Sequence, residues 1–106
     1  MSKWKVEVTP DAQREIAALA DDLQARFLHV AEMLEELGPS RVNKPHVTKL
    51  RGKLWEMRMK GRDGIARAIY FAATGRRLVV VRAFVKKTQK TPNREIDLAI
   101  QRMKGL

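Results

Sequence analysis

Three strand-like runs follow one another between Leu54 and Pro92, LWEMRMKGRDGIARAIYFAATGRRLVVVRAFVKKTQKTP, separated only by Gly61-Arg62-Asp63-Gly64 and Thr74-Gly75-Arg76. Connections this short cannot carry a parallel crossover, so the runs are expected to form an antiparallel meander. Arginine recurs inside them. A strand buried on both faces has no use for a guanidinium, whereas a sheet with one solvated face can present a row of cations to an anionic ligand.

Alternation sorts the side chains of each run. From Lys53 to Lys60 it sets Trp55, Met57 and Met59 against Glu56, Arg58 and Lys60, with the first set expected to face the core. From Ile65 to Ala72 it places Arg67 with Ile69 and Phe71, opposite Ala66, Ala68 and Tyr70. Leu78 to Val85 is nearly continuous apolar sequence, as a central strand requires, interrupted by Arg82 and ending in Lys86-Lys87-Thr88-Gln89-Lys90. Arg58, Arg67, Arg82 and Lys86 can then converge on an open face with Lys87 and Lys90 at its rim, while Trp55 and Tyr70 fall in the core.

The remainder reads as support. Lys3 to Val8 alternates like a half-buried strand, and Thr9-Pro10-Asp11 supplies a cap, a tolerated first-turn proline and an acid at the positive end of a helix dipole. Ile16, Leu19, Ala20 and Leu23 recur at helical spacing. Asp21-Asp22 marks a break, and Phe27, Val30, Ala31, Leu34 and Leu37 continue the period until Gly38-Pro39. Residues 38 to 52 read as a basic loop. Thr91-Pro92 repeats the cap-plus-proline start before Ile96, Ala99, Ile100 and Met103. The expected fold class is α+β: a small antiparallel sheet made of the N-terminal strand and the three-strand meander, a helical hairpin on one face, and a short C-terminal helix. A length of 106 residues suits one domain over 1–106.

Charge narrows the partner. The chain carries 22 Lys+Arg against 12 Asp+Glu, and the halves differ: residues 1–37 hold four cations and eight acids, net −4, while 38–106 hold eighteen cations and four acids, net +14. Such a field draws polyanions, with nucleic acid foremost and an acidic protein or anionic lipid behind it. With no cysteine there is no disulfide framework, thiolate zinc site or cysteine nucleophile. The two histidines, His29 and His46, are not at metal-ligand spacing, so neither metal nor cofactor is expected, and a lone loop histidine such as His46 reads as solvated. No apolar run has signal-peptide or membrane-span length, which points to a cytoplasmic protein.

PHVTKLRG (45–52), KLWEMR (53–58), the arginine within IARAIYF (65–71) and above all AFVKKTQKTP (83–92) before a short helix resemble the HigB-like branch of the RelE superfamily of toxin–antitoxin toxins. The resemblance covers nearly the whole chain. It implies a RelE-like fold and a ribosome-dependent mRNA endonuclease, neutralised by a cognate antitoxin of helix-turn-helix, HigA-like type, with ribosome and mRNA as the other partners. Family roles carry over to Arg58, Arg67, Lys86 and Lys87. Related sequences often have histidine just before the small residue and phenylalanine of the last strand, where this chain has Arg82.

The chemistry can be argued beside the resemblance. RNA carries its own nucleophile, the 2′-hydroxyl, so a protein without a metal must orient it, take its proton, stabilise the phosphorane and protonate the 5′-oxygen. A guanidinium is permanently charged and grips phosphate oxygens bidentately, which assigns Arg58 and Arg67 to charge stabilisation. A lysine among other cations has a lowered pKa, which assigns Lys86 or Lys87 to proton transfer or charge stabilisation. Lys49, Arg51, Lys53, Lys60, Arg82 and Lys90 are assigned to RNA or ribosome contact. Two other readings use the same residues: a non-catalytic RNA- or ribosome-binding module, and a degenerate toxin that keeps only antitoxin binding. The plainest reading makes the strand arginines solvated outer-face residues and the lysine run a guard against edge pairing.

Overall fold

The computed structural model describes residues 3–106. In chain order the elements are β1 (Lys5–Val8), α1 (Pro10–Ala17), α2 (Asp21–Leu37), a 3₁₀ turn (Pro39–Arg41), β2 (Val47–Lys49), β3 (Leu54–Lys60), β4 (Ile65–Ala73), β5 (Arg77–Lys86) and α3 (Asn93–Lys104). The expected α+β architecture is present, with the meander β3–β4–β5 in antiparallel register.

Four details differ from the sequence reading. The sheet has five strands in the order β1-β5-β4-β3-β2, because Val47–Lys49 of the basic loop pairs with β3. It is mixed rather than wholly antiparallel, since β1 lies parallel to β5 with Val6 opposite Leu78. The connection between them, which runs through α1, α2 and strands β2 to β4, is long enough for the crossover that a parallel pair needs. Helices also lie on both faces of the sheet. Ile16, Leu23, Phe27, Val30 and Leu34 of α1 and α2 pack with Met57, Met59, Tyr70 and Val80 on one side, whereas Ile96 and Ala99 of α3 pack on Leu54, Ile69, Val79 and Val81 on the other.

The fourth difference is a β-bulge. Ile69 sits opposite Arg82 but Tyr70 sits opposite Val80, so Val81 is an extra residue in β5. Before the bulge the even-numbered residues Leu78 and Val80 face α1 and α2; after it Ala83 takes that side. Strict alternation would have kept Arg82, Phe84 and Lys86 on the side of Val80. The inserted residue turns them over to the α3 side, which is also the side of Arg67 and Arg58.

Each helix start has its own solution. The Thr9 hydroxyl accepts from the Ala12 N–H at 3.3 Å, as the cap reading predicts. At α3 the repeat of that motif behaves otherwise: Pro92 is the N-cap, and Thr91 turns its hydroxyl to the Glu56 carboxylate. At the head of α2, Asp22 Oδ2 accepts the Arg62 N–H, which fastens α2 to the β3–β4 turn. Gly61 is required there, because a Cβ would lie 2.7 Å from Asp22 Oδ2 and 2.8 Å from a Leu23 methyl.

Candidate functional site: a cationic cleft beside β2, β3 and β4

Arg58 of β3 and Arg67 of β4 are direct cross-strand partners, on the sheet face toward α3 and beyond the reach of that helix's apolar contacts. The segment leading into β2 forms the opposing wall. It is shaped by Asn43, whose carbonyl accepts from His46 N–H at 3.0 Å and Val47 N–H at 3.3 Å, and it is tied to β3 by the Arg58 N–H donating to the His46 carbonyl at 2.8 Å. Between wall and sheet lies a cleft of about 280 Å³ lined by Lys44, Pro45, Val47, Thr48, Glu56, Arg58 and Arg67. A second cleft of about 300 Å³, lined by Arg26, Pro45, His46, Arg58 and Lys60, continues from it across Arg58.

Glu56 anchors the floor. It shares a strand face with Arg58 as alternation requires, yet its side chain is only 2 % exposed rather than solvated, because the segment before α3 covers it. Arg67 Nη1 donates to one Glu56 oxygen and to Thr91 Oγ1 at 3.0 Å, and the Thr91 hydroxyl donates to the other Glu56 oxygen. Arg67 Nη2 donates to the Gln89 carbonyl at 2.9 Å. Three of the five guanidinium hydrogens are thereby used. The Nε–H of Arg67 remains buried without a partner, and so does the Nε–H of Arg58. Two unpaired donors on facing arginines leave a polar demand that an anion in the cleft can meet.

Lys86 ends β5 opposite Ile65, half-buried and on the same face. Burial lowers its pKa first, and the charges of Arg67 and then Arg58 lower it further, against a smaller opposing pull from Glu56. The neutral amine is therefore easier to reach here than on an ordinary lysine. Lys87 and Lys90 are exposed on the segment that Arg67 holds through Gln89.

The structure brings Arg58, Arg67 and Lys86 together and places Arg82 elsewhere. Arg82 donates to Glu95 Oε1 at 2.7 Å and to Glu15 Oε2 at 2.7 Å, and lies 5.6 Å from the Phe84 ring centre. Glu95 foremost raises its pKa, against the cost of burial. Burial on its own would raise the Glu15 pKa, but hydrogen bonds from Arg102, the Ala83 N–H and Arg82 bring it below the ordinary value. Arg82 is thus an internal tie between α1, β5 and α3, not a member of an open cationic face. Arg51 likewise faces Asp97 and Asn93 of α3. Lys49 sits 5.9 Å over the Trp55 ring, and Lys53 is exposed in the β2–β3 turn. Trp55, expected in the core, is 37 % exposed because α2 does not extend over that end of β3, whereas Tyr70, Met57 and Met59 are core as expected. Lys60 lines the second cleft, where His46 and Arg26 join it.

The phage-derived protein Gp49-like family (DUF891) matches residues 14–104. The chain belongs to that family. Its fold is that of RelE toxins: a free-state Escherichia coli RelE toxin mutant superposes with a TM-score of 0.68 at 16 % identity, covering 95 % of this chain and 98 % of that one. RelE in an archaeal RelE–RelB complex from Pyrococcus horikoshii superposes with a TM-score of 0.56 at 23 % identity, covering 77 % of this chain and 93 % of that one. No curated protein sequence matches the chain. The resemblance to RelE superfamily toxins read from KLWEMR and AFVKKTQKTP is borne out by family and fold together. Among the described residues, no helix is long and apolar enough to cross a membrane.

Proposed function

We propose that this Gp49-family, RelE-fold chain is the toxin of a toxin–antitoxin pair and cleaves mRNA on the ribosome, acting in the cytoplasm as one domain over residues 1–106. The observation that carries the reading is the facing pair Arg58 and Arg67, each with an unpaired Nε–H, beside a half-buried Lys86 whose pKa is lowered. The scissile phosphate sits between the two guanidinium groups. Neutral Lys86 takes the proton of the 2′-hydroxyl, whose oxygen attacks the adjacent phosphorus. Arg58 and Arg67 stabilise the charge that develops on the non-bridging oxygens, and the 5′-oxygen leaves with a proton, giving a 2′,3′-cyclic phosphate. Lys87 and Lys90 lie outside the cleft and add attraction for the backbone, as do Lys49, Lys53 and Lys60. The ribosome supplies the alignment of the 2′-oxygen that these residues do not enforce.

The partner in this reading is a cognate antitoxin, a pairing supported by the RelE–RelB complex of the archaeal structural relative, and its proposed type is helix-turn-helix, HigA-like. The test is induced expression with and without the neighbouring reading frame, alongside incubation of purified protein with programmed ribosomes and with naked mRNA. Growth arrest relieved by the neighbour, with cuts only on ribosomes, is the expected result. Efficient cutting of naked RNA removes the ribosome dependence. If neither toxicity nor cleavage is found while RNA or ribosomes still bind, the chain is a binding module; the commitment of Arg67 to Glu56 is the feature that favours that second reading.

A further inference from the structure

The second cleft has a composition that the chemistry above does not use. Four of its five lining residues, Arg26, His46, Arg58 and Lys60, are cationic or able to become so, and no carboxylate lines it. Among the described residues the side chains of Arg26, His46 and Lys60 have no hydrogen-bond or ion-pair partner, whereas Arg67, Arg82 and Arg102 are matched with acids. Arg26 comes from α2, the helix that carries much of the acidic excess, so its presence here is a matter of placement. Asp22, one turn earlier on the same face of α2, holds the Arg62 N–H, and this brings the next turn of the helix alongside the end of β3. Lys60 follows Arg58 on the same face of β3, about 6.6 Å further along at an ordinary strand rise. Pro45 and Arg58 are common to both clefts, so the two form one track with Arg58 between them.

We propose that Arg26, His46 and Lys60 form a second phosphate subsite that holds the RNA backbone one nucleotide away from the phosphate between Arg58 and Arg67. The inference rests on the RNA-cleaving reading and extends it. Arg58 serves both subsites, with the strand running from the Arg67 end of the cleft past Arg58 toward α2. A cation is placed at each successive phosphate, and the purpose is register: fixing the neighbouring phosphate fixes which 2′-hydroxyl stands beside its own phosphorus.

The test uses the whole chain and a fluorescent ten-nucleotide oligouridylate with 2′-O-methyl sugars, which cannot be cut. Its affinity is measured over a range of salt for the parent, Arg26→Ala, and a control that removes a cation at the far end of α3, Lys104→Ala. The expected result is a twofold to fivefold loss for Arg26→Ala, the size of a surface ion pair, with a salt slope shallower by about 0.7, the contribution of one phosphate on a single strand. Lys104→Ala keeps the parental slope. Because Arg26 is exposed and unpaired, the melting temperature of Arg26→Ala stays at the parental value. A second oligonucleotide with one neutral methylphosphonate linkage beside the scissile position, presented on programmed ribosomes, is cut more slowly than the normal one by the parent and at the same rate as the normal one by Arg26→Ala. If the parent binds RNA and Arg26→Ala matches it in affinity and slope, the subsite is not there. If the parent binds neither RNA nor ribosomes, the RNA reading fails together with it.

Discussion

Arg58 and Arg67 stand directly opposite each other across β3 and β4, a like-charge pair that by itself destabilises an antiparallel sheet. Only Arg67 is compensated, by Glu56 and Thr91, while Arg58 has no acid and a buried, unpaired Nε–H. The two therefore answer differently to mutation, although sequence and register make them look equivalent.

Arg58→Ala is expected to abolish cleavage without weakening the fold. It removes a charge that repels Arg67 and Lys86 and has no counter-ion, so the stability change stays within about 0.5 kcal/mol or favours the variant. Losing one preorganised charge at a developing oxyanion costs ~3–4 kcal/mol, or about two to three decades in rate. Single-turnover cleavage on programmed ribosomes beside a thermal melt reads both quantities. Parental cleavage by Arg58→Ala would place the chemistry elsewhere.

Arg67→Ala is expected to lose cleavage and stability together. The side chains of Arg67 and Glu56 are 12 % and 2 % exposed, so truncation leaves a buried carboxylate without its cation, a change that costs about 3–5 kcal/mol. The informative variant is Arg67→Lys, which keeps a charge near Glu56 but cannot donate to Glu56, Thr91 and Gln89 while also offering a side-on edge to phosphate. A stable Arg67→Lys with no activity assigns the planar fork to catalysis. Restored activity assigns it a point charge.

The meander was legible because two short glycine-bearing turns admit nothing else, and the helical hairpin was legible because its apolar period is long. The parallel placement of β1 was not, since its alternation is the same for either direction and the choice depends on where α2 delivers the chain. The burial of Glu56 was equally hidden: alternation put it on the face of Arg58, but the segment that covers it lies thirty-five residues away at Thr91. Thr91 itself carried a cap signature that a long-range acceptor overrode. Arg82 was misplaced because Glu95 of α3 and Glu15 of α1 hold its guanidinium away from the cleft, although the inserted residue Val81 does put it on the face of Arg58 and Arg67. The same insertion turns Lys86 toward Arg67, so the grouping of Lys86 with the two arginines holds only because of a bulge that the apolar run gave no sign of.

Arg82→Ala is expected to separate stability from activity in the opposite sense. Its removal leaves Glu15 and Glu95 partly buried and short of one cation, with Arg102 still donating to Glu15. A loss of at least ~1–3 kcal/mol follows for hydrogen bonds broken at partly buried charged groups. Cleavage per folded molecule remains parental, because the guanidinium faces α1 and α3 rather than the cleft. An RNA-contact role would instead appear as a normal melt with weakened RNA binding.

Lys86 makes the pH dependence specific. Burial and the charges of Arg67 and Arg58 lower its pKa in the folded protein below that of an unfolded chain, so between those two values the unfolded state binds more protons. Stability therefore rises with pH across that window and is lost as pH falls through the folded pKa. If neutral Lys86 is the base, single-turnover cleavage rises tenfold per pH unit at low pH and levels off below the pKa of an ordinary lysine. Lys86→Arg keeps the charge and removes the accessible neutral form, so the rate should fall and the levelling-off should disappear. A profile flat at low pH that falls above the Lys86 pKa would make the ammonium the working form, donating to the 5′-oxygen or stabilising charge. A profile identical in parent and Lys86→Arg would move the proton-transfer step to another group, and His46 and Lys87 would be the next to replace.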